Sequence, residues 1–174
     1  RVGYCGRIHR RKGIDVLIKA WRQAGIGGRL DIWGDESEDP AYAGELRSLS
    51  ADAPIEFHGF VADGMDAMRE CDMIVLASRE DEGMSRMLIE AMALGRVVAA
   101  SDFPANREVL GERLSDMLFP SEDVNALASL IRRLNVDERD RARCALLSYE
   151  RARAAFDVAG TARAVEELYR RLLS

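Results

Sequence analysis

Apolar residues in this chain fall into short runs of strand length, separated by stretches with helical spacing. Val2–Cys5 reads as a strand, and Ile14–Ala24 as a helix with Ile14, Leu17, Ala20, Trp21 and Ala24 on one face. Leu30–Trp33 reads as a strand ending at Gly34, and Pro40 opens a helix over Pro40–Leu49. Residues 55–58 form a short strand ending at Gly59, 63–71 a short helix, and 73–77 a buried strand. A helix over 85–94 stops at Gly95, where glycine is a favoured helix terminator. Val97–Ser101 is the next strand, followed by a short helix near 106–110 and a last short strand over 116–119, ended by Pro120. Ser121 is expected to start the next helix, with Glu122 and Asp123 in its first turn. From there the pattern is all helical, with 137–156 rich in Arg and Ala, and 158–173 carrying Val165, Leu168, Tyr169 and Leu172 at helical spacing.

Alternating strands and helices with near-continuous apolar strands imply a parallel sheet covered on both faces. The expectation is one Rossmann-like, doubly wound α/β domain over residues 1–174, with a helical tail from about 137. The chain opens directly on a strand and without Met, which reads as a segment of a longer protein.

Composition narrows the class. Hydrophobic residues make up 48% and charged residues 32% of 174, normal for a globular domain with a sizeable core. A net charge of −5 does not favour nucleic acid or an anionic membrane. Cys5, Cys71 and Cys144 are odd in number and form no CxxC, so buried thiols in a reduced, cytoplasmic setting are expected. His9 and His58 have no carboxylate or Cys at metal-ligand spacing, and no metal site is expected. The G-x-S-x-G turn, the Walker A loop and the G-x-G-x-x-G fingerprint are all missing.

Two segments carry candidate chemistry. Gly6 to Gly13 follows the first strand and holds Arg7 and Lys12, either of which can reach a diphosphate at the strand's carboxyl end. A solvated basic turn is the plain alternative. The second segment is Glu82-Gly83-Met84-Ser85-Arg86-Met87-Leu88-Ile89-Glu90. Its glycine and serine leave the first amides of the following helix open, an anion site, and the flanking carboxylates suit sugar hydroxyls. Arg86 and Glu90 also stand four apart, so a surface ion pair competes with that reading. Of the loops that follow strands, Phe60 and Val61 are placed to bound a base pocket, or to form an ordinary turn.

Taken in order, these motifs resemble glycosyltransferase family 4, the large retaining group with the GT-B fold. The similarity is to its C-terminal, donor-binding half and runs from Val2 to about Leu134. It rests on Gly6-Arg7 through Lys12-Gly13, on Glu82 and Glu90 with seven residues between, and on Glu90-Ala91-Met92-Ala93-Leu94-Gly95-Arg96-Val97-Val98. Glu108-Val109 and Asp116-Met117-Leu118-Phe119-Pro120 extend it. The resemblance implies a hexosyltransferase-type enzyme in which Arg7 and Lys12 hold the donor diphosphate, Glu90 the ribose, and Glu82 the region of the transferred sugar. Amides of Gly83, Met84, Ser85 and Arg86 would contact phosphate or sugar. It also implies a nucleoside diphosphate sugar as substrate, no cofactor or metal, and a glycan or lipid-type acceptor bound through an N-terminal domain absent from this chain. Peripheral association with the inner membrane face, through other parts of the protein, belongs to the same picture. Gly83-Met84-Ser85 replaces the usual Gly-Phe-Gly, Gly34-Asp35-Glu36 the usual Gly-x-Gly, Ala77-Ser78 the usual Pro-Ser, and Arg96 a Pro. These departures bear on the sugar more than on the fold. A sugar-nucleotide epimerase on the same fold and a non-catalytic nucleotide-binding module are the other functions this sequence allows.

Overall fold

The computed structural model describes residues 1–173; Ser174, the end of the expected tail, lies outside the described residues. Strands β1 (Val2–Cys5), β2 (Leu30–Trp33), β3 (Ile55–Gly59), β4 (Met73–Leu76), β5 (Val97–Ser101) and β6 (Leu118–Phe119) form one parallel sheet in the order β3-β2-β1-β4-β5-β6. Consecutive residues of β2, β4 and β5 are buried, so both faces of the sheet centre are covered. β3 alternates half-buried with exposed positions, as an edge strand does.

The helices are α1 (Ile14–Ala24), α2 (Pro40–Leu49), α3 (Gly64–Arg69), α4 (Arg86–Ala93), α5 (Pro104–Leu110), α6 (Val124–Val136), α7 (Glu138–Ala155) and α8 (Val158–Leu172). α1 packs on α2 and α6, and α4 packs on α3 and α7. The β1–β2 ladder runs four residues, but β1 pairs with β4 only at Val2↔Met73 and Gly3↔Ile74. Tyr4 and Cys5 therefore part from β4, and a crevice opens at the carboxyl ends of the two strands. That is where the strand order reverses and where open α/β sheets bind ligands.

Three sequence expectations shift. α6 begins at Val124, not Ser121: the Asp123 amide turns back on the Pro120 carbonyl (3.1 Å) and the Asp123 side chain caps from outside the helix, accepting from Ala126 N (2.9 Å). Glu122 lies in that turn with φ +64° rather than in a helical first turn. The last strand keeps only Leu118–Phe119, because Glu112–Met117 wind into a 3-10 segment. α5 starts two residues earlier than expected, with Pro104 in its first turn. The arginines of α7 also bind neighbouring elements: Arg141 donates to Leu134 O (2.9 Å) and Arg151 to Glu108 O (2.7 Å), tying this helix to α6 and α5.

Candidate active site

The crevice holds a cavity of about 450 Å³. Its walls come from the loop after β1, the loop between β4 and α4, and the first turns of α4, and they include Arg7, Lys12, Glu82, Gly83, Arg86 and Glu90. Met84 and Ser85 line it as well, so eight of the ten residues singled out in the sequence surround one space. Phe60 and Val61 line a neighbouring cavity of about 320 Å³ with Trp33 and Gly34, and Cys5, Gly6 and Arg7 border both. Phe60 stands exposed in its wall.

Backbone architecture aims these groups. The Tyr4 hydroxyl donates to the Arg7 carbonyl at 2.8 Å from below the loop. Burial, above all, pushes the Tyr4 phenol well above its usual pKa and keeps it a donor. Arg10–Lys12 form one 3-10 turn, capped by His9, whose Nδ1 accepts from Arg11 N (3.2 Å). Gly13 ends the turn at φ +60°, and a Cβ there would lie 1.9 Å from the Ala77 carbonyl oxygen. Only glycine allows the Lys12 turn to sit directly on the backbone at the end of β4.

Lys12 reaches across the crevice to form an ion pair with Glu82, joining the two sequence motifs. Both side chains are largely shielded from solvent. Arg7 is exposed, with Nη1 4.0 Å from Glu38 Oε2. Arg86 pairs with Glu90 at 3.0 Å, the surface-pair alternative noted above, although Glu90 still borders the cavity. Ser85 occupies the N-cap position of α4 but makes no side-chain cap. The first amides of α4 thus keep their donor capacity at the cavity wall.

Met87, Ser78 and Cys5 line the cavity as well, although the sequence assigns them no site role. Met87 turns its sulfur to the Cys5 amide (3.4 Å), a donor left by the early end of the β1–β4 ladder. Ser78 is buried and lines the cavity, and its Oγ has no hydrogen-bond partner among the described residues. Cys5 borders both cavities, and burial, then the charges of Glu90 and Asp63, raise its thiol pKa, which makes it a poor nucleophile. Cys71 and Cys144 are buried, with thiols pushed up to about 12 and about 11 by burial.

His58 corrects one expectation. Its Nε2 stands 2.6 Å from Asp31 Oδ1 on the adjacent strand and 3.9 Å from Glu56 Oε2, two residues along its own strand and so on the same face. Spacing in sequence hid this cluster. The fully buried Asp31 carboxylate is also shared with Arg1 (3.0 Å) and Arg29 (2.9 Å), so cations of the protein already compensate it.

A family comparison fits this geometry. The family model for Glycosyl transferases group 1 matches residues 1–137. The chain belongs to the group 1 glycosyl transferases. A phosphatidyl-myo-inositol mannosyltransferase from Mycolicibacterium smegmatis is 32% identical over 140 residues, covering 76% of this chain and 35% of its own length. The structure of Anabaena Alr3699/HepE in complex with UDP and glucose superposes with a TM-score of 0.88 at 25% identity, covering 98% of this chain and 48% of that one. The C-terminal domain of a group 1 glycosyl transferase from Francisella tularensis (LpcC) shares the fold, with a TM-score of 0.75 at 23% identity over 90% of this chain and 86% of that one. This glycosyl transferase domain therefore spans about a third to a half of the length of its longer relatives. Its fold is that of the C-terminal half of a GT-B enzyme, with a helical tail. Among the described residues, no helix is long and apolar enough to cross a membrane.

Outside the set that lines the cavity, Asp15 is the centre of a charge cluster. Asp15 accepts from the Tyr42 hydroxyl (2.8 Å), Arg79 Nη2 (2.9 Å) and Lys19 Nζ (3.0 Å). Burial alone would raise its carboxyl pKa; the hydrogen bonds from Arg79, Tyr42 and Lys19 outweigh it and hold the group well below the usual carboxylate range. The unfolded chain then binds a proton at Asp15 at higher pH than the folded one does. This contribution to stability is complete above the unfolded pKa of about 3.9 and is lost as pH falls below it. Thermal melts from pH 6 to 2 should show the wild-type midpoint falling most steeply below about pH 4. Asp15→Asn should lower the midpoint at pH 6 and flatten that fall.

Proposed function

We propose that this domain binds a nucleoside diphosphate sugar and activates it for retaining transfer of the glycosyl group to an acceptor hydroxyl. The observation that carries the reading is the meeting of Lys12 and Glu82 across the crevice between β1 and β4, with Arg7, Glu90 and the start of α4 around the same cavity. Cations and helix amides suit a diphosphate. Carboxylates beside them suit sugar hydroxyls. HepE, a structural neighbour, has been solved with UDP-glucose, which supports the same ligand class here.

In this reading Lys12 exchanges its bond to Glu82 for the diphosphate, and Arg7, earlier in the same loop after β1, closes on the phosphates with it. As the bond between the anomeric carbon and the phosphate oxygen breaks, the electron pair leaves with the nucleoside diphosphate. Lys12, Arg7 and the amides from Gly83 to Arg86, where the loop leads into α4, stabilise that growing charge. Glu90 fixes the ribose and so orients the leaving group. Glu82 addresses the sugar hydroxyls once Lys12 has turned to the phosphates. Phe60 and Val61 border the base. The acceptor, and any contact with the inner membrane face, are assigned to parts of the protein outside these 174 residues.

Calorimetry with UDP, GDP, ADP and their hexose conjugates tests the reading. One nucleoside diphosphate is expected to bind the 174-residue chain, with no transfer to acceptors. Glu90→Ala should weaken that nucleotide about tenfold, the value of roughly 1.4 kcal/mol of lost hydrogen bonding, and should leave its 2′,3′-dideoxy analogue unchanged. Equal loss for both nucleotides would remove Glu90 from the ribose.

A further inference from the structure

Arg79 was not singled out by any motif. It lies between β4 and Glu82, outside the set that lines the cavity, and its side chain is mostly covered. Its guanidinium spends its donors on three different segments. Nη1 donates to the Arg10 carbonyl (2.7 Å), Nη2 to Asp15 Oδ2 on α1 (2.9 Å), and Nε to Glu122 Oε1 in the turn before α6 (2.7 Å). Its own amide donates to the Arg11 carbonyl (2.7 Å). The two carbonyls it holds are those immediately before Lys12, in the 3-10 turn that presents this lysine.

The partners are themselves fixed. Asp15 is locked by the Tyr42 hydroxyl, which also accepts from the Asp15 amide at 3.1 Å. Glu122 is held at φ +64°, a conformation rare for a side chain of its kind. Ser121 Oγ donates to the Ser78 carbonyl (3.2 Å), so the turn carrying Glu122 is pinned to the same loop as Arg79. One planar cation thereby joins the Lys12 turn to α1, to the α6 turn and to the loop leading to Glu82. A lysine brings a point charge on a flexible four-carbon stem, so its grip on a phosphate depends on how firmly its backbone is anchored.

We propose that Arg79 is a positioning residue of the donor site, which fixes the 3-10 turn so that Lys12 meets the diphosphate. The proposal rests on the reading that Lys12 binds the diphosphate. Arg79 touches no ligand itself; it acts through Lys12. Coupling between the two residues therefore follows, whereas a role in general stability would act alike with or without Lys12.

The test is a double-mutant cycle on the full 174-residue chain, titrated with whichever of UDP, GDP and ADP the wild type binds. Arg79→Met is expected to weaken binding about tenfold in the wild-type background and less than about twofold in Lys12→Ala. Arg79→Lys covers the case in which Arg79→Met does not fold. It keeps a cation beside Asp15, but one ammonium cannot span the Arg10 carbonyl, Asp15 and Glu122 together, so a smaller loss with the same dependence on Lys12 is expected. Thermal midpoints, measured beside each titration, report the structural cost separately. If Lys12→Ala weakens the nucleotide but the Arg79 variants do not, or if they weaken it equally in both backgrounds, the positioning role is overturned and the donor reading stands. If Lys12→Ala leaves nucleotide affinity unchanged, the donor reading fails first, and the role of Arg79 with it.

Discussion

Replacing Lys12 by Ala is expected to weaken nucleoside diphosphate binding by about 10- to 150-fold, the equivalent of a charge-assisted hydrogen bond worth roughly 1.5–3 kcal/mol. The upper part of that range is the better expectation, for a reason specific to this cavity. Lys12 and Glu82 neutralise each other across the crevice, and both are largely shielded from water. Removing the ammonium does more than delete a phosphate contact. It leaves a poorly solvated carboxylate facing the place where a second anion must settle. Glu82→Gln separates the two effects. It frees Lys12 without adding a charge, so affinity for the bare nucleoside diphosphate should hold or rise, while the added affinity contributed by the sugar should fall. Calorimetry with nucleoside diphosphate and its hexose conjugate on both variants reads this directly. Parallel losses in Lys12→Ala and Glu82→Gln for the bare nucleotide would mean that the pair acts as structure rather than as an exchangeable grip. Arg7 should matter less for affinity, since it is solvent-exposed and its only nearby acid among the described contacts, Glu38, is 4.0 Å away.

The fold was legible because its determinants are local and periodic. Strand-length apolar runs marked β1, β2 and β4, Gly34 and Gly59 marked the carboxyl ends of β2 and β3, and Pro40 marked the start of α2. The expected grouping of Arg7, Lys12, Glu82 and Glu90 follows from the same logic, since loops at the carboxyl ends of β1 and β4 must meet where the strand order reverses. What stayed hidden depends on partners distant in sequence. Asp15, which no motif pointed to, is a buried acid in the first turn of α1, neutralised by Arg79, sixty-four positions away. His58 looked isolated until Asp31 on the next strand came within 2.6 Å. The helix start at Val124 was missed because Glu122 takes up a left-handed conformation that no local preference of a glutamate signals. In that conformation the Glu122 carboxylate accepts from Arg79 Nε, forty-three positions away (2.7 Å).

Gly13→Ala should be the most damaging single methyl group in the chain, and Gly25→Ala provides its control. Both glycines end a helical turn with nearly the same backbone, φ +60° and ψ 32° at Gly13, φ +61° and ψ 30° at Gly25. Alanine therefore meets the same left-handed penalty at each, about 1–2 kcal/mol. Their surroundings differ. An added Cβ at Gly25 finds nothing closer than the Gln23 carbonyl at 3.9 Å, whereas at Gly13 it falls 1.9 Å from the Ala77 carbonyl oxygen. That oxygen belongs to the backbone at the end of β4 and cannot swing aside as a flexible side chain would. The turn itself must move away, which stretches the bonds from Arg79 to the Arg10 and Arg11 carbonyls and shifts Lys12. Gly13→Ala is expected to cost more than about 3 kcal/mol, lowering the thermal midpoint by about 6–12 °C or more for a domain of this size, and Gly25→Ala about half as much or less. Nucleotide affinity sharpens the comparison. Any Gly13→Ala protein that remains folded should bind nucleoside diphosphate nearly as poorly as Lys12→Ala, while Gly25→Ala should bind like the wild type. Comparable affinity in the two alanine variants would show that the Lys12 turn tolerates displacement, and that its contact with β4 serves the fold alone.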